Sequence, residues 1–120
     1  MKNSVQDGDS LAFTNTTGSD IAAGDVVELK HCLGIAATDI PNGGTGTVYL
    51  EGVYTVPKVA AAVFVQGEKL IWIHASLSFD DSSAVAAAGD ITGGAVAWED
   101  GAAAATTATI KLTPGNATLT

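Results

Sequence analysis

Apolar and polar residues alternate along most of this chain, and a period of two is the signature of β-strands. Between Thr47 and Val56 the alternation puts Val48, Leu50, Tyr54 and Val56 on one face. Ile110 and Leu112 alternate with Thr109, Lys111 and Thr113 in the same way. Leu70-Ile71-Trp72-Ile73 is instead a continuous apolar run of β-branched and aromatic types, which predicts a strand covered on both sides. Glycine and asparagine clusters separate these segments: Pro41-Asn42-Gly43-Gly44, Gly93-Gly94 and Pro114-Gly115-Asn116. Such punctuation predicts a small all-β domain, barrel-like or a sandwich. At most two short helical turns are expected. One is Pro57 to Val63, where proline suits a first helical position; the other is Ser82 to Ala88, with a serine cap and Gly89 as terminator.

The chain also echoes itself. Gly24-Asp25-Val26-Val27-Glu28-Leu29 resembles Gly67-Glu68-Lys69-Leu70-Ile71-Trp72: a glycine, an acid, then a strand. Gly34-Ile35-Ala36 matches Gly94-Ala95-Val96 downstream, and each half ends in a Thr-x-Thr strand, Thr45-Gly46-Thr47 and Thr107-Ala108-Thr109. The second half carries an insertion, roughly Ser76 to Asp90. Two β-units of one design are expected, neither able to close its core alone. The domain plan is an N-terminal arm over residues 1–9, one β domain over 10–115 and a C-terminal tail over 116–120.

Composition makes that core thin. The 120 residues include 21 alanines but only 29 Phe, Leu, Ile and Val. That share exceeds the ~20% below which disorder is the better expectation, yet it leaves stability that burial against a partner would increase. Charge excludes more. Thirteen acids against five lysines, with no arginine, give a net charge of −8. Nucleic-acid binding needs a basic stripe to displace counterions, and phosphate sites favour the guanidinium fork. Neither nucleic acid nor a phosphorylated small molecule is therefore expected as a partner. The longest apolar stretch, Val59 to Val65, is too short to span a bilayer, so no membrane partner is expected. The N-terminus shows no secretory h-region, and the lone Cys32 closes no intramolecular bridge; synthesis in a reducing cytoplasm follows. In that compartment the sequons at Asn15 and Asn116 are not used.

Candidate chemistry is sparse. Gly44-Thr45-Gly46 begins like a dinucleotide fingerprint, but Tyr49 takes the third glycine position and a strand follows where a helix is needed. His31 and Cys32 are adjacent, so on a strand they point to opposite faces and form no nucleophile–base pair. His31 and His74 each follow the glycine opening their unit by the same distance; if they faced each other they would suit a metal or titrate near neutrality. The close acids Asp7, Asp9, Asp80, Asp81, Glu99 and Asp100 lack the spacing of a calcium loop and suit turns. No catalytic residue, cofactor or metal site is assigned. Trp72 is expected in the core. Trp98, before Glu99-Asp100-Gly101, falls at a strand end and is the candidate interface anchor.

Several segments together are similar to a known family. They are Gly52-Val53-Tyr54-Thr55-Val56-Pro57-Lys58, Gln66-Gly67-Glu68-Lys69-Leu70-Ile71-Trp72, Gly94-Ala95-Val96-Ala97 and Thr109-Ile110-Lys111-Leu112, with the opening Gln6-Asp7-Gly8-Asp9-Ser10-Leu11. From about Lys2 to Gly115 the chain resembles the bacteriophage head-decoration, or capsid cement, proteins. It departs from them at Ile73-His74, where the family has an acid after the tryptophan, and in a longer segment from Leu77 to Gly89. The resemblance implies a non-enzymatic virion protein on the outer capsid surface, with the major capsid protein as partner and a homotrimer over threefold positions. It implies stabilisation by bridging neighbouring capsid subunits; a tail or fibre module is the alternative. The polar arm suits strand addition to a capsid subunit, so Lys2, Asn3, Ser4, Val5 and Gln6 are the expected capsid contacts.

Overall fold

Gly52 divides the longest alternating run into two strands. Its φ of +118° is open to glycine and strained for a side chain, and the chain crosses there from one sheet to another. The computed structural model describes residues 8–120. Before the break, β1 (Ser10–Thr14), β2 (Val26–Glu28), β3 (Leu33–Ala36) and β4 (Thr45–Tyr49) form a sheet in the order β1-β4-β3-β2. After it come β5 (Val53–Pro57), β6 (Lys69–Ile73), β7 (Ser78–Asp80), β8 (Ile91–Ala97) and β9 (Thr107–Leu112). They follow the order β5-β9-β8-β6-β7, and β10 (Thr118–Leu119) joins on β8. All strand pairings in both sheets are antiparallel. The all-β reading of the sequence holds, as two antiparallel sheets, and Val48 and Val56 of the broken run are buried, each in the core of its own repeat.

The internal echo is a true structural repeat, visible bond by bond. The Gly24 N–H donates to the Ala36 carbonyl at 2.8 Å, and the Gly67 N–H to the Ala97 carbonyl at 2.7 Å. The return bonds run from Ala36 to Asp25 at 3.0 Å and from Ala97 to Glu68 at 2.9 Å. The acid after each glycine closes the same turn: Asp25 accepts from the Ala22 N–H and Glu68 from the Val65 N–H. Ser10 faces Tyr49 and Thr14 faces Thr45 in the first repeat; Val53 faces Lys111 and Pro57 faces Thr107 in the second. Residues 9–31 thus map onto 52–74, 34–40 onto 95–101 and 44–50 onto 106–112. One match shifts by a residue: Gly34-Ile35-Ala36 corresponds to Ala95-Val96-Ala97, because the hydrogen bonds align the alanines and the glycine identity does not. The second repeat is longer because 75–94 stand where the first has only Cys32 and Leu33, and this added stretch contains β7.

The expected helical turns do not form. Pro57 is the last residue of β5, and the Val59 N–H goes to the Phe79 carbonyl. Around Ser82 the amides are taken by carboxylates: Glu68 accepts from the Ser82 N–H and Asp81 from the Ser83 N–H, which leaves a capped loop. The described residues hold a single 3₁₀ turn, Pro114–Asn116, in a segment read as punctuation. Residues 116–120, set apart as a tail, carry β10, and Thr120 exchanges backbone bonds with Gly89 and Asp90.

Each repeat has its own apolar centre. Val27, Ala36, Ile40 and Val48 form the smaller, with Leu11, Phe13, Ile21 and Leu29 packed on it. The larger is built on Leu70, Trp72, Phe79, Ile91 and Ile110 in the second repeat, and it also takes in Leu33 and Ile35 from the first. That intrusion joins the repeats. Trp72 lies in the core as expected, edge-on to Phe79 at 4.9 Å, although its indole N–H is buried without an acceptor among the described residues. A buried polar side chain stands at the same position in both repeats, Asn15 and Lys58. The Asn15 amide donates to the Ser19 and Ile40 carbonyls, and the Lys58 ammonium to the Val59 carbonyl. Removing Asn15 strands two carbonyls, so Asn15→Ala should cost at least ~2 kcal/mol. Phe79→Ala should cost ~3–5 kcal/mol. Urea unfolding followed by tryptophan fluorescence measures both.

Candidate functional site

The outer face of the second sheet carries a row of cross-strand partners: Lys69 beside Val96, Val96 beside Lys111, and Lys111 beside Val53. Lys69, Lys111 and Val53 are exposed and Val96 half-buried. Trp98 follows β8 directly and is 48% exposed. The Gln66 side-chain amide donates to the Trp98 carbonyl, which sets Val65, itself exposed, near the indole's strand. Trp98 stands at a strand end as expected, and it is partly exposed. In the first repeat the equivalent row is Val26, Ile35, Tyr49 and Ser10, and there Ile35 is fully covered by the second repeat's core. The two rows thus differ where Ile35 is buried and its counterpart Val96 is half-open. Two lysines lie on the second repeat's row in a chain whose net charge is −8.

A second surface lies where the repeats meet. A groove of about 720 Å³ has Leu11, Phe13 and Leu29 as its apolar floor, with Glu28, Lys30 and His74 along its rim. The His74 Nδ1 and the Glu28 carboxylate are hydrogen-bonded at 2.8 Å, which ties the end of β2 to the end of β6.

The residues weighed for chemistry take other roles. His31 and Cys32 sit in the β2–β3 turn, closed by the Leu29 N–H donating to the Cys32 carbonyl, so the strand geometry expected of them does not apply. Burial pushes the Cys32 thiol above its ordinary pKa, away from the reactive thiolate. His31 and His74 do occupy equivalent positions, but His74 turns to Glu28. Three of the close acids serve as acceptors: Asp80 holds the Asp81 N–H, Asp81 the Ser83 N–H and hydroxyl, and Asp100 the Gln66 N–H, while Asp7 lies outside the described residues. The described residues contain no group of three or more His, Cys, Asp or Glu placed to hold a metal. No helix is long and apolar enough to cross a membrane. Lys2, Asn3, Ser4, Val5 and Gln6 lie outside the described residues. The groove was not anticipated from the sequence; its signal was the insertion, which one repeat has and the other lacks.

Two strand repeats with open faces, and Asp25, Glu68, Asp81, Asp90 and Asp100 each holding a loop amide, make up this surface. The model of the phage cement protein family matches residues 5–112, and the chain belongs to that family. No curated protein matches the chain. Membership gives a non-enzymatic, capsid-associated structural protein of the virion.

One pH dependence and one salt dependence follow from this geometry. The Ser82 N–H and hydroxyl hold the Glu68 carboxyl below its ordinary pKa, so Glu68 contributes stability above the usual carboxylate range and loses it as pH falls through the lowered value. Ser82→Ala should raise the Glu68 pKa in a carbon-detected NMR titration and reduce the stability lost below about pH 4. The partly exposed Glu28–His74 pair should contribute less than ~1 kcal/mol, and a double-mutant cycle should show it fading with added salt.

Proposed function

We propose that this protein binds the outer surface of an assembled phage capsid and braces it by spanning neighbouring capsid subunits, acting as a homotrimer. One observation carries the reading: the Lys69–Val96–Lys111–Val53 row with the 48% exposed Trp98 beside it, an open face that joins two lysines to apolar side chains. A mixed apolar and basic patch bordered by an exposed aromatic is the composition of a contact surface, with the indole as anchor. It suits an acidic partner surface, against the sign of the rest of the chain. Several moderate contacts made at once hold a shell more firmly than any one of them. Binding only the assembled lattice stabilises that lattice by mass action. The N-terminal residues Lys2 to Gln6 supply a further contact by adding a strand to a capsid subunit.

Co-sedimentation with undecorated heads tests this. Trp98→Ala should weaken binding ~10-fold or more, and Lys111→Glu should weaken it while flattening its salt dependence. Deleting Met1 to Asp9 should weaken attachment and leave the thermal unfolding of the domain unchanged. Full decoration by all three variants would remove these surfaces from the mechanism. Sedimentation equilibrium of the purified protein checks the trimer.

A further inference from the structure

The two repeats differ in how their sheets close. The first sheet ends in β1 and β2; their counterparts in the second repeat are β5 and β6, and there β7 is added outside β6. In the second repeat the seam is filled. β7 pairs with β6 along Ile71–Asp80, Trp72–Phe79 and Ile73–Ser78, and bridges in parallel to Lys58 just after β5. Phe79 is fully buried there: it stacks edge-on against Trp72, and its carbonyl accepts from the Val59 N–H. The first repeat lacks the segment that supplies β7. The residues equivalent to this slot are Leu29 for Trp72, Thr16 for Val59 and Leu11 for Tyr54, and all three line the groove. Within the described residues β2 pairs with β3 along one edge, and its other edge borders the groove.

We propose that this groove is a docking slot for an extended segment supplied in trans, which completes the first repeat as β7 completes the second. The structure of the filled slot specifies the occupant. It is a short strand with an aromatic or large aliphatic side chain flanked by polar residues, like Ser78-Phe79-Asp80, antiparallel to β2 and parallel to β1. Strand addition at an open edge draws affinity from main-chain hydrogen bonds and selectivity from the side-chain pocket. Leu11, Phe13 and Leu29 form that pocket, and the rim carries both signs of charge in Glu28 and Lys30. The source of the segment is the capsid subunit beneath the protein, a point that rests on the function proposed above.

The probe is a synthetic peptide with this chain's own sequence from Ser76 to Ser82. Titrated into isotope-labelled protein, it should shift the amides of Leu11, Phe13, Thr16 and Leu29 saturably. The same peptide with its phenylalanine replaced by alanine should bind ~10-fold more weakly or worse. Absence of saturable shifts, equal shifts from both peptides, or shifts confined to other surfaces would overturn the slot. Leu29→Lys and Thr16→Pro, each checked for native circular dichroism, should abolish the peptide response and weaken head binding ~10-fold. Two variants keep the test open if one fails to fold. Peptide binding lost with head binding intact would overturn the capsid as source, as would conversion of an oligomer to monomer by Leu29→Lys, which assigns the segment to a second copy. Wild-type protein that takes the peptide but ignores heads would refute the proposed function and leave the slot standing.

Discussion

Closure of sheet edges governs this molecule. An open sheet of short strands leaves unpaired backbone groups at both margins, and a chain with few large apolar residues has little core with which to cover them. The second repeat meets the demand internally: Phe79 enters between β5 and β6, packs on Trp72 and brings a strand with it. The first repeat meets only half of it. One face is covered where Leu33 and Ile35 enter the neighbouring core, while among the described residues the margin between β1 and β2 stays open. The asymmetry between two otherwise matching units gives the protein a finished half and a receptive half.

The joints of this frame are polar and local. Asn15 and Lys58 occupy one position in the repeat and reach it with different chemistry: an amide that pins two carbonyls, and an ammonium that finds one. A buried polar group at that place ties the end of the first strand to the loop beside it, where an alanine-rich core gives little grip. Between repeats the grip is apolar through Leu33, and Glu28–His74 adds a surface pairing that salt screens. The capsid-associated role fits such a body, because a cement needs a stiff shape and broad surfaces and has no need of a reaction site.

Much of this was legible in the residues. Alternation placed the strands, and the glycine-acid pair at Gly24-Asp25 and Gly67-Glu68 exposed the duplication, because the same turn needs a left-handed glycine and a carboxylate acceptor each time. Composition and missing motifs pointed away from catalysis, and Trp98 was placed at an exposed strand end. What failed were features decided by distant partners. Pro57 reads as a helix start until Thr107 pairs with it, and the serines at Ser82-Ser83 read as caps until Glu68 and Asp81 claim their amides. The match of Gly34 to Gly94 followed residue identity, whereas the fold follows backbone bonds. The groove was invisible because it is a difference between the halves, and only the filled seam shows what the open one lacks.

The loop from Ser82 to Ala88 has a use beyond the frame. Carboxylates fasten both of its ends, Glu68 and Asp81 at one and Asp90 at the other, where it accepts from the Ala87 N–H. Between those clamps Val85 projects at 92% exposure. Lengthening a span held at both feet adds loop entropy that grows only with the logarithm of its length. A foreign segment spliced at Val85 would therefore cost the fold only about 0.6 kcal/mol for each doubling of the span, so the arch can carry cargo that its footings hardly feel.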